Sequence, residues 1–213
     1  MNIIVLDTET PALQGVEVSH VAWQEFTEDL EWVATADHMC NPGVPMTPGA
    51  TAVNKITDEM VADKPPISEV LFPQGEVVLV CHNISFDKHR VEPYLNIVWD
   101  VCTYMAARRL YQEAPDHKLG TLVDYLGLEK GEAHQAAADV EMTVQLLRRE
   151  IKDSGFSIVD FIRWMDEPFV FKTFPFGKHR GTAVKDMPYG YLKWVKSTRP
   201  DMDIEATLAT RGL

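Results

Sequence analysis

Apolar residues follow two rhythms along this chain, a strand rhythm early and a mixture with helix rhythm later. Asn2 to Leu6 is a short β-branched run that predicts a buried strand. Val16–Phe26 and Leu30–Met39 predict two more strands, joined by a turn at Thr27-Glu28-Asp29. Proline and glycine mark NPGVPMTPG as a loop. Short helices are expected over Ala50–Asn54 and Thr57–Val61, until Lys64-Pro65-Pro66 stops them. Val77–Cys81 is unbroken apolar sequence, the pattern of a central strand. A helix over Phe86–Leu95 and a short strand near Ile97–Trp99 follow. Helices are then expected over Val101–Tyr111, Thr121–Leu126 and Gln135–Lys152, with one more over 156–166 that packs through Phe161 and Trp164. Strands first, then strands alternating with helices, predict an α/β fold with a mixed central sheet flanked by helices. Glu167-Pro168 marks a boundary between residues 1–167 and a small C-terminal module, 168–213.

Composition narrows this picture. At 213 residues and 46% apolar content, the chain can bury one good-sized core and a small appendage. No run approaches the ~20 apolar residues of a membrane span, and the first residues lack the basic start of a signal peptide. Cys40, Cys81 and Cys102 lack metal-ligand spacing and read as reduced thiols, so a cytoplasmic protein is expected. The net charge of −12 divides unevenly. Residues 1–167 hold 12 Lys and Arg against 28 acids, whereas 168–213 hold 8 against 4, leaving the module basic.

The chemistry concentrates in three blocks: LDTET with Asp7 and Glu9, HNISFD ending at Asp87, and HQAAAD with His134 and Asp139. Each lies where a predicted strand ends or a helix begins, so the carboxylates can converge. Converging carboxylates repel and resist desolvation unless a cation relieves them, and hard divalent cations take oxygen ligands. Asp7 and Glu9 stand two apart, which on a strand turns both to one face. Asp139 would complete a metal shell, with Asp87 holding a water or a further ion. All-oxygen ligation suits Mg²⁺, with two ions expected and Mn²⁺ able to substitute. His134 adds a base that titrates near neutrality. Together these are the parts of a phosphodiester hydrolase.

In these blocks the chain resembles the DEDDh 3′–5′ exonucleases. LDTET continuing to Leu13, HNISFD, and His134 with four residues before Asp139 match that family's motifs, and ITDEMVADKP, CTYMAARRLY and HKLGTLVDYLGL are similar too. The stretch FPFGKHRGTAVKDMPYGYLKW resembles the tail of one branch of the family. The resemblance implies a ribonuclease H-like fold, with Asp7, Glu9, Asp87, His134 and Asp139 as the catalytic set. It also implies removal of nucleoside monophosphates from DNA 3′ ends in repair or recombination, in a bacterial or phage-infected cell. Leu13 is expected to wedge against terminal bases with Phe86 beside it, and Thr10 and Asn83 to join that nucleotide surface. Pro11-Ala12 replaces the family's usual Thr-Gly, and Asn54 stands where many members have histidine. Direction and the choice of DNA over RNA rest on the resemblance alone.

The basic module is expected to help hold DNA, with Lys178 and Arg180 among its contacts and Phe174 and Phe176 as stacking aromatics. Its alternative is a hairpin and helix whose aromatics merely pack. A proofreading subunit bound to a polymerase is the second functional reading, and a binding protein that keeps the fold without cutting is a third. The family also allows a homodimer.

Overall fold

The computed structural model describes residues 2–131, 135–198 and 201–213. Strand β1 (Asn2–Glu9) pairs antiparallel with β2 (His20–Phe26), and β2 pairs antiparallel with β3 (Trp32–Met39). On its other edge β1 runs parallel to β4 (Glu76–Cys81), which runs parallel to β5 (Asn96–Cys102). Among the described residues they form one mixed sheet, ordered β3-β2-β1-β4-β5, with β1 at its centre. The helices are α1 (Pro48–Asn54), α2 (Asp58–Val61), α3 (Ile84–Val91), α4 (Thr103–Leu110), α5 (Leu119–Leu126), α6 (Ala136–Ser154), α7 (Ile158–Asp166), α8 (Tyr189–Thr198) and α9 (Met202–Ala209). This is the mixed sheet of a ribonuclease H-like fold.

Two differences from the sequence pattern bear on the site. β1 runs beyond Leu6 because the ladder continues, placing Asp7 opposite Ala22 and Glu9 opposite His20. Backbone pairing thus holds two acids in strand geometry that the apolar run alone did not mark. Val101 and Cys102 belong to β5, not to a helix, because they pair with Val80 and Cys81, so α4 starts at Thr103. Elsewhere β2 is shorter than its apolar run and begins at His20.

Side chains alternate across β1 as a strand requires. Ile3 and Val5 join Val140 and Leu147 of α6, Ala106 of α4 and Phe161 of α7 in one core layer. Ile4 and Leu6 join Val91 of α3, Trp23, Phe72 and Leu95 in the other. Burying such side chains contributes roughly 1.5–3 kcal/mol each.

The C-terminal module has its own small core of Phe171, Phe174, Val184, Met187, Leu192, Val195, Ile204 and Leu208. Phe174 is therefore a packing residue and is not exposed for stacking, which corrects that part of the expectation. The module is riveted to the main body. Arg109 of α4 and Asp203 of α9 form a fully buried pair, with Nε donating to Oδ2 at 3.0 Å and a terminal nitrogen to Oδ1 at 2.8 Å. Arg109 also donates to the Trp164 and Glu167 carbonyls at 2.6 and 2.8 Å. Beside it Arg108 donates to Asp201 at 2.7 Å.

Candidate active site

The site forms at the end of β1, where two helices begin. Ile3 and Val5 face α6, so Asp7 and Glu9 continue that row toward the α6 N-terminus, where Asp139 lies in the first turn. One carboxylate oxygen from each of Asp7, Glu9 and Asp139 falls within 4.8 Å of the other two. Thr8, between the acids, takes the opposite parity. Its backbone N–H and its hydroxyl both donate to Oδ1 of Asp87, at 2.9 and 2.7 Å. Asp87 is buried in the first turn of α3. The helix N-termini favour negative charge at both Asp87 and Asp139.

Packing these acids together shifts their titration. Burial, then the charges of Asp87, Asp139 and Glu9, hold Asp7 well above the ordinary carboxylate range. Burial and Asp139 push Glu9 up to about 7, opposed by the Asn54 amide. Asp87 is also pushed up to about 7 by burial, against the pull of the Thr8 hydrogen bonds and Arg90. The strain of four crowded acids is what a divalent cation relieves, and the all-oxygen donor set suits a hard ion. Asp7, Glu9 and Asp139 fit that role directly. Asp87, with Oδ1 engaged by Thr8, fits as a group that steadies the cluster or an ion-bound water.

Open space lies on either side of the cluster. One groove, about 580 Å³, is lined by Glu9, Thr10, Leu13, Phe86, Val53 and Asn54 among others. Leu13 projects into solvent, 90% exposed. A second, about 730 Å³, includes Asp139, His82, Asn83, Tyr104, Lys118 and Lys130. Glu9 and Asp139 therefore put the carboxylates at the junction of two grooves.

The expected contact residues divide between these surfaces. Leu13 and Phe86 line the first groove with Thr10, whose hydroxyl is turned to the Ala12 carbonyl at 2.7 Å. Asn83 lines the second and adopts a left-handed conformation, φ +72°, at the start of α3. Lys178 and Arg180 line neither groove. Arg180 donates to the carbonyls of Gln112, at 3.0 Å, and Pro115, binding the module to the main body, while Lys178 lies over the Tyr191 ring. His134, the expected base, lies outside the described residues.

Three side chains support the site in ways the sequence did not show. Arg90 lies over the Phe86 ring and donates to the Phe86 carbonyl and, at 2.9 Å, to the Gly15 carbonyl, tying α3 to the Leu13 loop. Its signal was the i+4 spacing from Phe86. Asn54 is buried and donates to the Thr10 carbonyl at 3.2 Å, while its own oxygen accepts from Ile56 N–H at 3.0 Å. His82, beside the cluster in HNISFD, has both ring nitrogens engaged: Nε2 donates to the His117 carbonyl at 2.9 Å, leaving Nδ1 to accept from the Thr103 hydroxyl at 2.9 Å. Burial pushes it down to about 4, so it is neutral and holds no spare lone pair for proton abstraction.

Known proteins are similar to this chain in sequence and fold. Residues 4–147 match the RNase_T family, described as Exonuclease, and residues 167–210 match a family described as Putative quorum-sensing-regulated virulence factor. The chain is 34% identical to Exodeoxyribonuclease 10 of Escherichia coli K12 across 97% of this chain and 96% of that protein. It is 31% identical to DNA polymerase III PolC-type of Bacillus cereus, across 74% of this chain but 12% of the polymerase. A structure of Exonuclease X in complex with 5′ overhanging duplex DNA superposes with TM-score 0.65 at 30% identity, covering 76% of this chain and 98% of that one. An E. coli exonuclease I complex with single-stranded DNA, at 18% identity and TM-score 0.62, covers 75% of this chain and 42% of that one, and shares the fold. The chain belongs to the exonuclease family, whose members are divalent-metal-dependent nucleases.

Proposed function

We propose that this protein is a free-standing 3′–5′ exodeoxyribonuclease that trims DNA ends in repair or recombination. The observation that carries the proposal is the three-carboxylate cluster at the junction of two grooves. Such a junction lets a terminal nucleotide lie on one side of the scissile phosphate and the rest of the strand on the other. The near full-length similarity to Exodeoxyribonuclease 10 supports the DNA substrate and the direction.

Asp7, Glu9 and Asp139 would hold two Mg²⁺ ions, with Mn²⁺ able to substitute, and Asp87 would steady them. When bound, such ions stabilise the charge that builds on the attacked phosphate and the leaving oxygen. Leu13 and Phe86 present an apolar wall for the terminal base, and stacking of that kind contributes roughly 1–3 kcal/mol per base. Arg90 keeps that wall in place. His134 would take the proton from the attacking water, since an unperturbed imidazole, near pKa 6.5, is largely neutral at physiological pH. His82, with both ring nitrogens occupied, is not available for that role.

A proofreading role beside a polymerase is the second reading. The similarity to PolC-type polymerases favours it, although the matched segment is a small part of those chains. Isothermal calorimetry with Mn²⁺, paired with turnover of single-stranded DNA, tests the assignment. Asp7→Ala should lose both metal binding and hydrolysis. His134→Ala should keep metal binding and lose roughly 10²–10⁴-fold in turnover. Equal loss of metal binding in both variants would make His134 a ligand and overturn this division of roles.

A further inference from the structure

A separate cavity of about 630 Å³ lies wholly within the C-terminal module, lined by Gly177, Lys178, His179, Pro188, Gly190, Tyr191 and Trp194. Its aromatic wall follows from the local chain. Tyr191 and Trp194 stand three apart on α8, so they share a helix face, with ring centroids 5.3 Å apart. His179 meets Tyr191 edge-on at 4.5 Å, and the Lys178 ammonium lies 5.2 Å from the Tyr191 ring centre. Gly177 has φ +67°, and a Cβ there would fall 2.7 Å from the Tyr191 hydroxyl, so the turn that carries Lys178 and His179 needs glycine to close against Tyr191. Tyr189 and Lys193, 5.0 Å apart as ring centre and ammonium, lie elsewhere on the same helix and do not line the cavity. Tyr189 and Trp194 are 47% and 48% exposed, unlike the buried Phe171 and Phe174 beneath them.

Aromatic faces left in water beside ammonium groups suit a flat π-system followed by an anion. That is the chemistry of a base and its phosphate. The module is also the basic part of an acidic protein, and its Asp201 and Asp203 are paired with Arg108 and Arg109. The turn that lines the cavity is followed by a contact with the main body near the catalytic groove. Arg180, next to His179, grips the carbonyl of Pro115, and Lys118, three residues on, lines the groove that holds Asp139. Three residues span at most about 11 Å.

We propose that Tyr191 and Trp194, with Lys178, form a second DNA site that holds an unpaired stretch of the strand away from the carboxylates. The proposal rests on the exonuclease reading above. Binding of 5′-fluorescein-dT12 to the full-length protein in EDTA, read by anisotropy across a salt series, tests it. Trp194→Ala should weaken binding roughly 5- to 150-fold, the worth of one stacked base. Lys178→Ala should flatten the slope of log affinity against log salt by about 0.7 for the phosphate no longer neutralised. Adding unlabelled dT12 should quench tryptophan fluorescence in the unaltered protein and much less in Trp194→Ala. Unchanged affinity, slope and quenching in these variants would overturn the proposal. Hydrolysis of dT12 by the unaltered protein with Mg²⁺ tests the exonuclease reading independently.

Discussion

Replacing Glu9 with glutamine should make the metal-free protein more stable while weakening its response to metal. Glu9 sits in the cluster with its pKa pushed from 4.5 up to about 7 by burial and Asp139. A carboxyl with a raised folded-state pKa binds its proton more tightly folded than unfolded. Stability is therefore full below about pH 4.5 and is lost as pH rises to about 7, beyond which the whole difference is felt. A shift of that size corresponds to roughly 3 kcal/mol, and water at the cluster's edge trims this to about 1–3 kcal/mol. Glu9→Gln carries no such penalty. At pH 8 in EDTA its Tm should exceed that of the unaltered protein by about 3–10 °C, and the gap should close toward pH 4.5. Adding Mg²⁺ should raise the Tm of the unaltered protein, because the folded state alone has the site, and should raise the variant's less. Differential scanning fluorimetry from pH 4.5 to 8.5, with EDTA or Mg²⁺, reads all of this. A lower Tm for Glu9→Gln at pH 8 in EDTA, or an equal gain from Mg²⁺ in both proteins, would refute the reasoning.

Three further outcomes are expected. Glu150 is fully buried in α6, neither of its carboxyl oxygens has a hydrogen-bond partner among the described residues, and burial holds its pKa well above the usual value. Glu150→Leu should stabilise the fold by roughly 1–3 kcal/mol at pH 8 and by less at pH 5, read by urea titration at both pH values. Asp203→Ala should cost about 3–5 kcal/mol by leaving Arg109 buried without its partner, and a fragment ending at residue 167 should lose stability for the same reason, read by urea titration and thermal melts. In the unaltered protein, turnover at saturating Mg²⁺ should climb through about pH 6–8 as His134 deprotonates, and His134→Ala should flatten that limb in an initial-rate profile.

Much of this molecule was legible because its signals are local. The run at Val77–Cys81 forms a parallel central strand, and the spacing of Asp7 and Glu9 does place both on the row that faces α6. What escaped was carried by partners distant in sequence. Val101 and Cys102 read as helix until their pairing with Val80 and Cys81 drew them into β5. Thr8 carried no signal of its own in the sequence, yet it hydrogen-bonds Asp87 across 79 residues. The module's charge was visible in the sequence, but the division of its aromatics was not. Phe174 and Trp194 are alike in composition, and packing alone decides that the first is buried and the second faces water. Arg180 shows the same limit, since a basic residue in a basic segment looks like a phosphate contact until its carbonyl partners are known.

The central claim is that this carboxylate cluster removes nucleotides singly from the 3′ end of DNA. Its most direct test is product mapping on a 5′-labelled single-stranded oligonucleotide with Mg²⁺, alongside Asp7→Ala. The account predicts a ladder of labelled strands that shortens one nucleotide at a time from the 3′ end, with release of nucleoside 5′-monophosphates and no products from the variant. Immediate release of the label as a mononucleotide, internal cleavage, or an unchanged ladder from Asp7→Ala would contradict it.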